Sequence, residues 1–84
     1  MKFYYISFRS VTFAQSGERA LQKAGIRSTL LRTPKWMEAQ GCGYCLRLWT
    51  NDIQPALQQL RSAQVPLRKV YLQGRDGQLE EWTA

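Results

Sequence analysis

Tyr4, Ile6 and Phe8 alternate with Phe3, Tyr5, Ser7 and Arg9 over residues 2–9. A period of two with this many aromatics predicts a strand whose Tyr4, Ile6 and Phe8 face a core. The period then lengthens. Phe13, Gly17, Ala20, Leu21 and Ala24 fall on one face of a helix predicted over 13–24. Thr12 and Gln15 have capping-box form at its start, and Gly25 suits its end. Gly17, with no Cβ, would let the helix approach a sheet closely. Residues 26–33 read as a second strand closed by Pro34. Tyr44, Leu46 and Leu48 alternate with Cys45, Arg47 and Trp49 in a third strand over 44–49. Asp52 suits the cap of a second helix starting at Ile53, with Pro55 at N3, where a missing N–H costs nothing. Its buried stripe would be Ile53, Ala56, Leu57, Leu60 and Ala63. Residues 69–73 read as a fourth strand, Gly74-Arg75-Asp76-Gly77 as a turn, and 78–82 as an additional short strand completing a hairpin.

The order is β-α-β-β-α-β with a C-terminal extra strand. This predicts an α+β, ferredoxin-like sandwich in one domain over 1–84, with both helices on one sheet face. The other face would then carry Phe3, Tyr5, Arg9, Cys45, Arg47, Trp49, Lys69 and Tyr71. At 84 residues such a domain buries only about 60–65% of its unfolded surface, so its core must be thin and regular.

Composition narrows the chemistry. Twelve Lys and Arg against six Asp and Glu give a net charge of +6, which suits an anionic partner such as nucleic acid or an acidic protein. The chain contains no histidine. That removes Cys-His nucleophiles, histidine metal sites and imidazole acid–base catalysis, and no metal or cofactor is expected. The start Met1-Lys2-Phe3-Tyr4-Tyr5 lacks the apolar core of a signal peptide, and no run reaches a membrane span. Two cysteines are too few for a disulfide scaffold. A cytoplasmic protein with reduced thiols and no membrane partner is the expectation.

The two cysteines fall in Gly41-Cys42-Gly43-Tyr44-Cys45. Glycine on both sides leaves Cys42 little cover, and the backbone N–H groups of such a turn can converge on an anion. Four readings compete. A dithiol pair needs Cα atoms within about 4.4–6.8 Å, whereas an extended 42–45 segment separates them by up to ~10 Å. A zinc site would need two further ligands, which only a dimer could supply. A single reactive Cys42 fits best, its thiolate stabilised by Arg47, or less directly by Lys35 or Arg9, with Cys45 a half-buried strand residue. In the fourth reading the glycines serve only a tight turn.

The aromatic first strand, Lys23-Ala24-Gly25-Ile26, Thr33-Pro34, Cys42-Gly43 followed by Leu46-Arg47, and the helix opened by Asp52 together resemble a known family. This is the selenium/sulfur carrier protein-like family of small bacterial and archaeal domains. The resemblance covers about residues 2–73 and leaves 74–84 as an extension. Its sharpest element is the Cys42-Gly43 turn. It implies a carrier rather than an enzyme, with Cys42 accepting sulfur or selenium from a donor enzyme and yielding it to an acceptor protein. Gly41, Gly43 and Cys45 would frame the site.

A different class of function also fits. Aromatics interleaved with Arg and Lys on an open sheet face can stack bases and neutralise phosphates. Gly43-Tyr44-Cys45-Leu46 echoes the third-strand motif of RNA-recognition domains, but its stacking positions would fall on Tyr44 and Leu46, on the core side. Exposed aromatic sheet faces usually mark interfaces, so the same face is read first as buried in a homodimer; it would otherwise serve an interaction domain without chemistry.

Overall fold

A computed structural model describes residues 1–33 and 43–83. The chain is α+β: among the described residues five strands form one antiparallel sheet, and two helices pack with it. Strand β1 is Lys2–Phe8, helix α1 Val11–Lys23, β2 Thr29–Arg32, β3 Tyr44–Thr50, α2 Gln54–Ser62, β4 Val70–Gln73 and β5 Leu79–Trp82. The order across the sheet is β2-β3-β1-β4-β5. β3 therefore lies between the two strands that α1 connects, and β5 extends the sheet beyond β4.

Register fixes the faces. Ile6 stands opposite Leu46 and Val70, and Tyr4 opposite Leu48 and Leu72. These side chains share the helix side, where Ile6, Phe8, Leu46, Leu48, Leu21 and Leu60 are almost completely buried. The opposite face carries Phe3, Tyr5, Ser7, Cys45, Arg47, Trp49 and Tyr71, as the alternation predicts. Arg9 is the exception: β1 ends at Phe8, and Arg9 is exposed in the bend that follows.

Helix α1 starts earlier than its capping-box pattern implies. Ser10, extended at φ −141° and ψ 160°, is the N-cap, and its hydroxyl accepts from the Phe13 N–H at 3.3 Å. Thr12 lies inside the first turn. The core-facing residues are Ala14, Gly17 and Leu21, while Phe13 is 40% exposed and Ala24 lies on the surface. Space explains this. A Cβ on Gly17 would lie 3.1 Å from Phe8 Cζ, 3.2 Å from Leu60 Cδ2 and 3.3 Å from Leu46 Cδ1. A seat that tight admits Ala14 and excludes the Phe13 ring.

The second strand begins at Thr29 rather than at 26, because Ile26 serves the helix end. Gly25 has φ +76°, its N–H donates to Gln22 O, and the Ile26 N–H donates to Leu21 O at 2.8 Å. These two bonds form a Schellman motif, with Ile26 packed against the core. Helix α2 ends in the same way, with Gln64 at φ 59° in the place of glycine. That stop exposes Ala63, which the helical stripe predicts as buried. At the start of α2, Asp52 Oδ1 accepts from the Gln54 N–H at 3.0 Å, one position before the formal cap at Ile53, and Pro55 falls in the first turn.

Among the described residues no helix is long and apolar enough to cross a membrane.

Candidate functional site

The strand ends that lead to the glycine–cysteine segment come together at one edge of the sheet. Tyr44, the first residue of β3, stands opposite Phe8 of β1 and Arg32 of β2. The Thr33 N–H donates to Gly43 O at 3.0 Å, which carries the ladder one pair further and fixes the backbone next to Cys42. Gly43 is buried. The N-terminus of α1 lies at the same end, because Ser10 follows two residues after Phe8. Its first turn holds no acidic residue, so the partial positive charge of its N–H groups is not offset locally.

Two of the described cations at this end flank the strand ends. Arg9 is exposed between β1 and α1. Arg32 is exposed at the end of β2, with its guanidinium 5.8 Å from the centre of the Tyr44 ring and Nη2 3.5 Å from the Tyr44 hydroxyl. Sequence reading did not single out Arg32, because its proximity to Tyr44 follows only from the β2–β3 register. Thr33, from the Thr33-Pro34 pair, is 2% exposed, and its hydroxyl has no hydrogen-bond partner among the described residues. A buried hydroxyl in that state costs roughly 1–3 kcal/mol.

The predicted site residues divide into three groups. Cys42, Gly41 and Lys35 lie outside the described residues. Gly43 and Arg9 share the sheet end just described. Cys45 and Arg47 lie further along β3. Cys45 is fully buried rather than half-buried, since it sits mid-sheet between Ser7 and Leu31. Arg47 lies about 13 Å along the strand from Gly43, at ~3.3 Å per residue. Its guanidinium turns the other way, 5.0 Å above the Phe3 ring.

Ser7 has a role that its sequence position does not reveal. Its N–H donates to Lys69 O and its carbonyl accepts from the Arg68 N–H, both at 2.8 Å, so two residues stand opposite one. That offset is a β-bulge, and it leaves the Lys69 N–H without a ladder partner. The Ser7 hydroxyl accepts that N–H at 3.1 Å and lies 3.3 Å from Lys69 O. The side chain of Lys69 pairs with Glu81 at 3.4 Å.

A family model described as Putative Se/S carrier protein-like matches residues 3–72. No curated protein matches the chain, and no solved structure matches it.

Proposed function

The chain belongs to the Se/S carrier protein-like family, and from that membership we propose that it carries sulfur or selenium on Cys42. The observation that carries this reading is the family match over 3–72, a span that contains Cys42. The fold supports it in three ways. Gly43 is held by Thr33, so the residue after Cys42 has a fixed place at the sheet end. Arg9, Arg32 and the N-terminus of α1 put positive charge at that end, which favours a thiolate over a thiol. Cys45 is buried, and a buried thiol in a sheet is chemically quiet. One cysteine is then left for exchange. We also read the β2-β3-β1-β4 part of the sheet as a ferredoxin-like arrangement with β5 added, on the strength of β3 lying between β1 and β2.

In the proposed step the Cys42 thiolate attacks the outer sulfur of a persulfide on a donor enzyme. A new S–S bond forms on Cys42, the donor's S–S bond breaks, and the donor leaves as a thiolate. An acceptor protein's nucleophile later attacks the same outer sulfur, and Cys42 leaves as a thiolate. The carrier ends each cycle as it began, with no general base and no cofactor. Selenium follows the same course. Arg9 and Arg32 share the sheet end of Gly43, and Arg47 would contribute only after leaving the Phe3 ring. The setting is the cytoplasm, where thiols stay reduced.

The test is intact-mass spectrometry after incubation with a cysteine desulfurase and L-cysteine, without reductant. Wild type is expected to gain one sulfur that a thiol reductant removes, and Cys42→Ser to gain none. Equal loading of the Cys42→Ser variant would overturn the assignment.

A further inference from the structure

We propose that the sheet face opposite the helices binds single-stranded nucleic acid around Phe3, Arg47 and Trp49, at a site separate from Cys42. Its centre is a row of rings and one guanidinium. Phe3 and Trp49 face each other across β1 and β3, with ring centres 4.5 Å apart and planes tilted by 52°. Arg47 lies 5.0 Å above Phe3. Tyr5 stands between Arg47 and Tyr71 in the cross-strand register. Trp49 is 54% exposed, although a ring of that size is ordinarily covered.

At the end remote from Gly43 the face runs into a cleft of about 530 Å³, flanked by Lys2, Phe3, Trp49, Gly74 and Arg75. Lys2 and Arg75 are exposed there. Rings with cations on both sides match the repeating unit of a single strand, in which flat bases alternate with phosphates. An aromatic sheet face of this extent takes about two or three bases.

Charge favours that occupant over a second copy of the chain. On this face the described strands carry one carboxylate, Glu81, and Lys69 already pairs with it. Two copies meeting here would press together two faces that each hold Arg47 and Lys69, on chains with a net charge of +6 each. Protein interfaces are also enriched in aromatic side chains and Arg, so the rings fit either occupant and the charge separates them: a polyanion neutralises it and a second copy doubles it.

The experiment is fluorescence anisotropy with a labelled oligouridylate of about a dozen nucleotides, a length within the usual single-strand site sizes. A duplex of equal length is the comparator, and light scattering reports oligomeric state. Wild type is expected to bind the single strand at low salt and the duplex more weakly. Trp49→Ala should weaken binding roughly tenfold, the effect of losing one stacking platform. Arg47→Gln should reduce the slope of log affinity against log salt by about 0.7, one phosphate contact. Cys42→Ser should bind like wild type, so failure here and failure of the carrier reading remain distinguishable. Circular dichroism checks that each variant is folded. Absence of single-strand binding, binding indifferent to Trp49 and Arg47, or equal affinity for the duplex would each overturn the proposal. A dimer that Trp49→Ala dissociates would also overturn it, assigning the face to a second copy.

Discussion

The two faces of this sheet are made by the same strands yet obey different rules. On the helix side, Tyr4, Ile6, Phe8, Leu46 and Leu48 meet α1 and α2, and exposure falls to 6% or less. On the other side, Ser7 and Cys45 are buried at one end, Phe3, Tyr5 and Arg47 are half-buried, and Trp49 stands in the open at the other end. Both faces are rich in rings, so hydrophobicity alone does not separate them. Polar endings do. The helix side is dominated by aliphatic groups that fill space. The open side carries a guanidinium, an indole, and phenols such as Tyr5, whose hydroxyl lies 3.2 Å from Gln73 Oε1. Such groups pack on one side and stay wet on the other. One face holds the fold together, and the other is available for contact.

Truncation should show the difference at its largest. Ile6 is fully buried between Leu46 and Val70. Ile6→Ala should cost about 2–5 kcal/mol through lost transfer energy and a residual cavity. For a domain of this size, denaturant unfolding would register that as a large share of the total stability. Trp49→Ala removes a larger side chain from the other face. It should cost less, about 1–2 kcal/mol, because over half of Trp49 is already in water. Equal losses for the two variants would mean that Trp49 is covered in solution and the two faces are alike.

A smaller change probes how tightly the covered face is closed. Gly17→Ala adds one methyl group at 3.1–3.3 Å from Phe8, Leu60 and Leu46. Alanine gains about 1 kcal/mol of helix propensity over glycine. Overpacking costs about 1–3 kcal/mol, and here all three neighbours are fully buried and have nowhere to move. That puts the cost in the upper part of its range, so the net expectation is a loss of about 1–2 kcal/mol, read as a melting temperature lower by roughly 4–15 °C. A variant as stable as wild type would show that α1 can lift from the sheet, and that the seat is looser than the distances imply.

Much of this division was legible in the chain. Alternation in 2–9 and 44–49 assigns Ile6, Leu46, Tyr5 and Arg47 to their faces, because a half-buried strand has a strict period of two. The misread positions are those where a local signal competes with a contact made elsewhere. Thr12 has the better capping box, yet Ser10 caps α1, since the chain is still extended there as it leaves β1. Ile26 and Ala63 fit a strand and a stripe, but both stand where a helix is being terminated. At the site, Cys42 and Gly43 stand out by composition alone. Arg32, Thr33 and Ser7 do not, because each acquires its role from a partner strand whose register no single segment encodes. Arg47 illustrates the same limit: its strand position suggests a reach toward Cys42, and its ring contact takes it toward Phe3.

The finest test of the two-face picture is a change of one charge. Lys69 and Glu81 pair at 3.4 Å with both side chains about half exposed. An ion pair this wet contributes about 0–1 kcal/mol, so Glu81→Gln should leave stability nearly unchanged. On the helix side a single methyl group is expected to matter more. On the open side the substitution removes the one carboxylate among its described strand residues and releases Lys69 for a phosphate. Single-strand affinity should therefore rise at low salt, and the slope of log affinity against log salt should steepen by about 0.7. The gain should vanish at high salt, where phosphate contacts are screened. An unchanged slope would place Lys69 and Glu81 outside the path of the strand and confine that path to Arg47 and the cleft beside Trp49. A fall in stability comparable to that of Gly17→Ala would mean instead that the pair secures β5 to β4, and that the open face also holds the fold together.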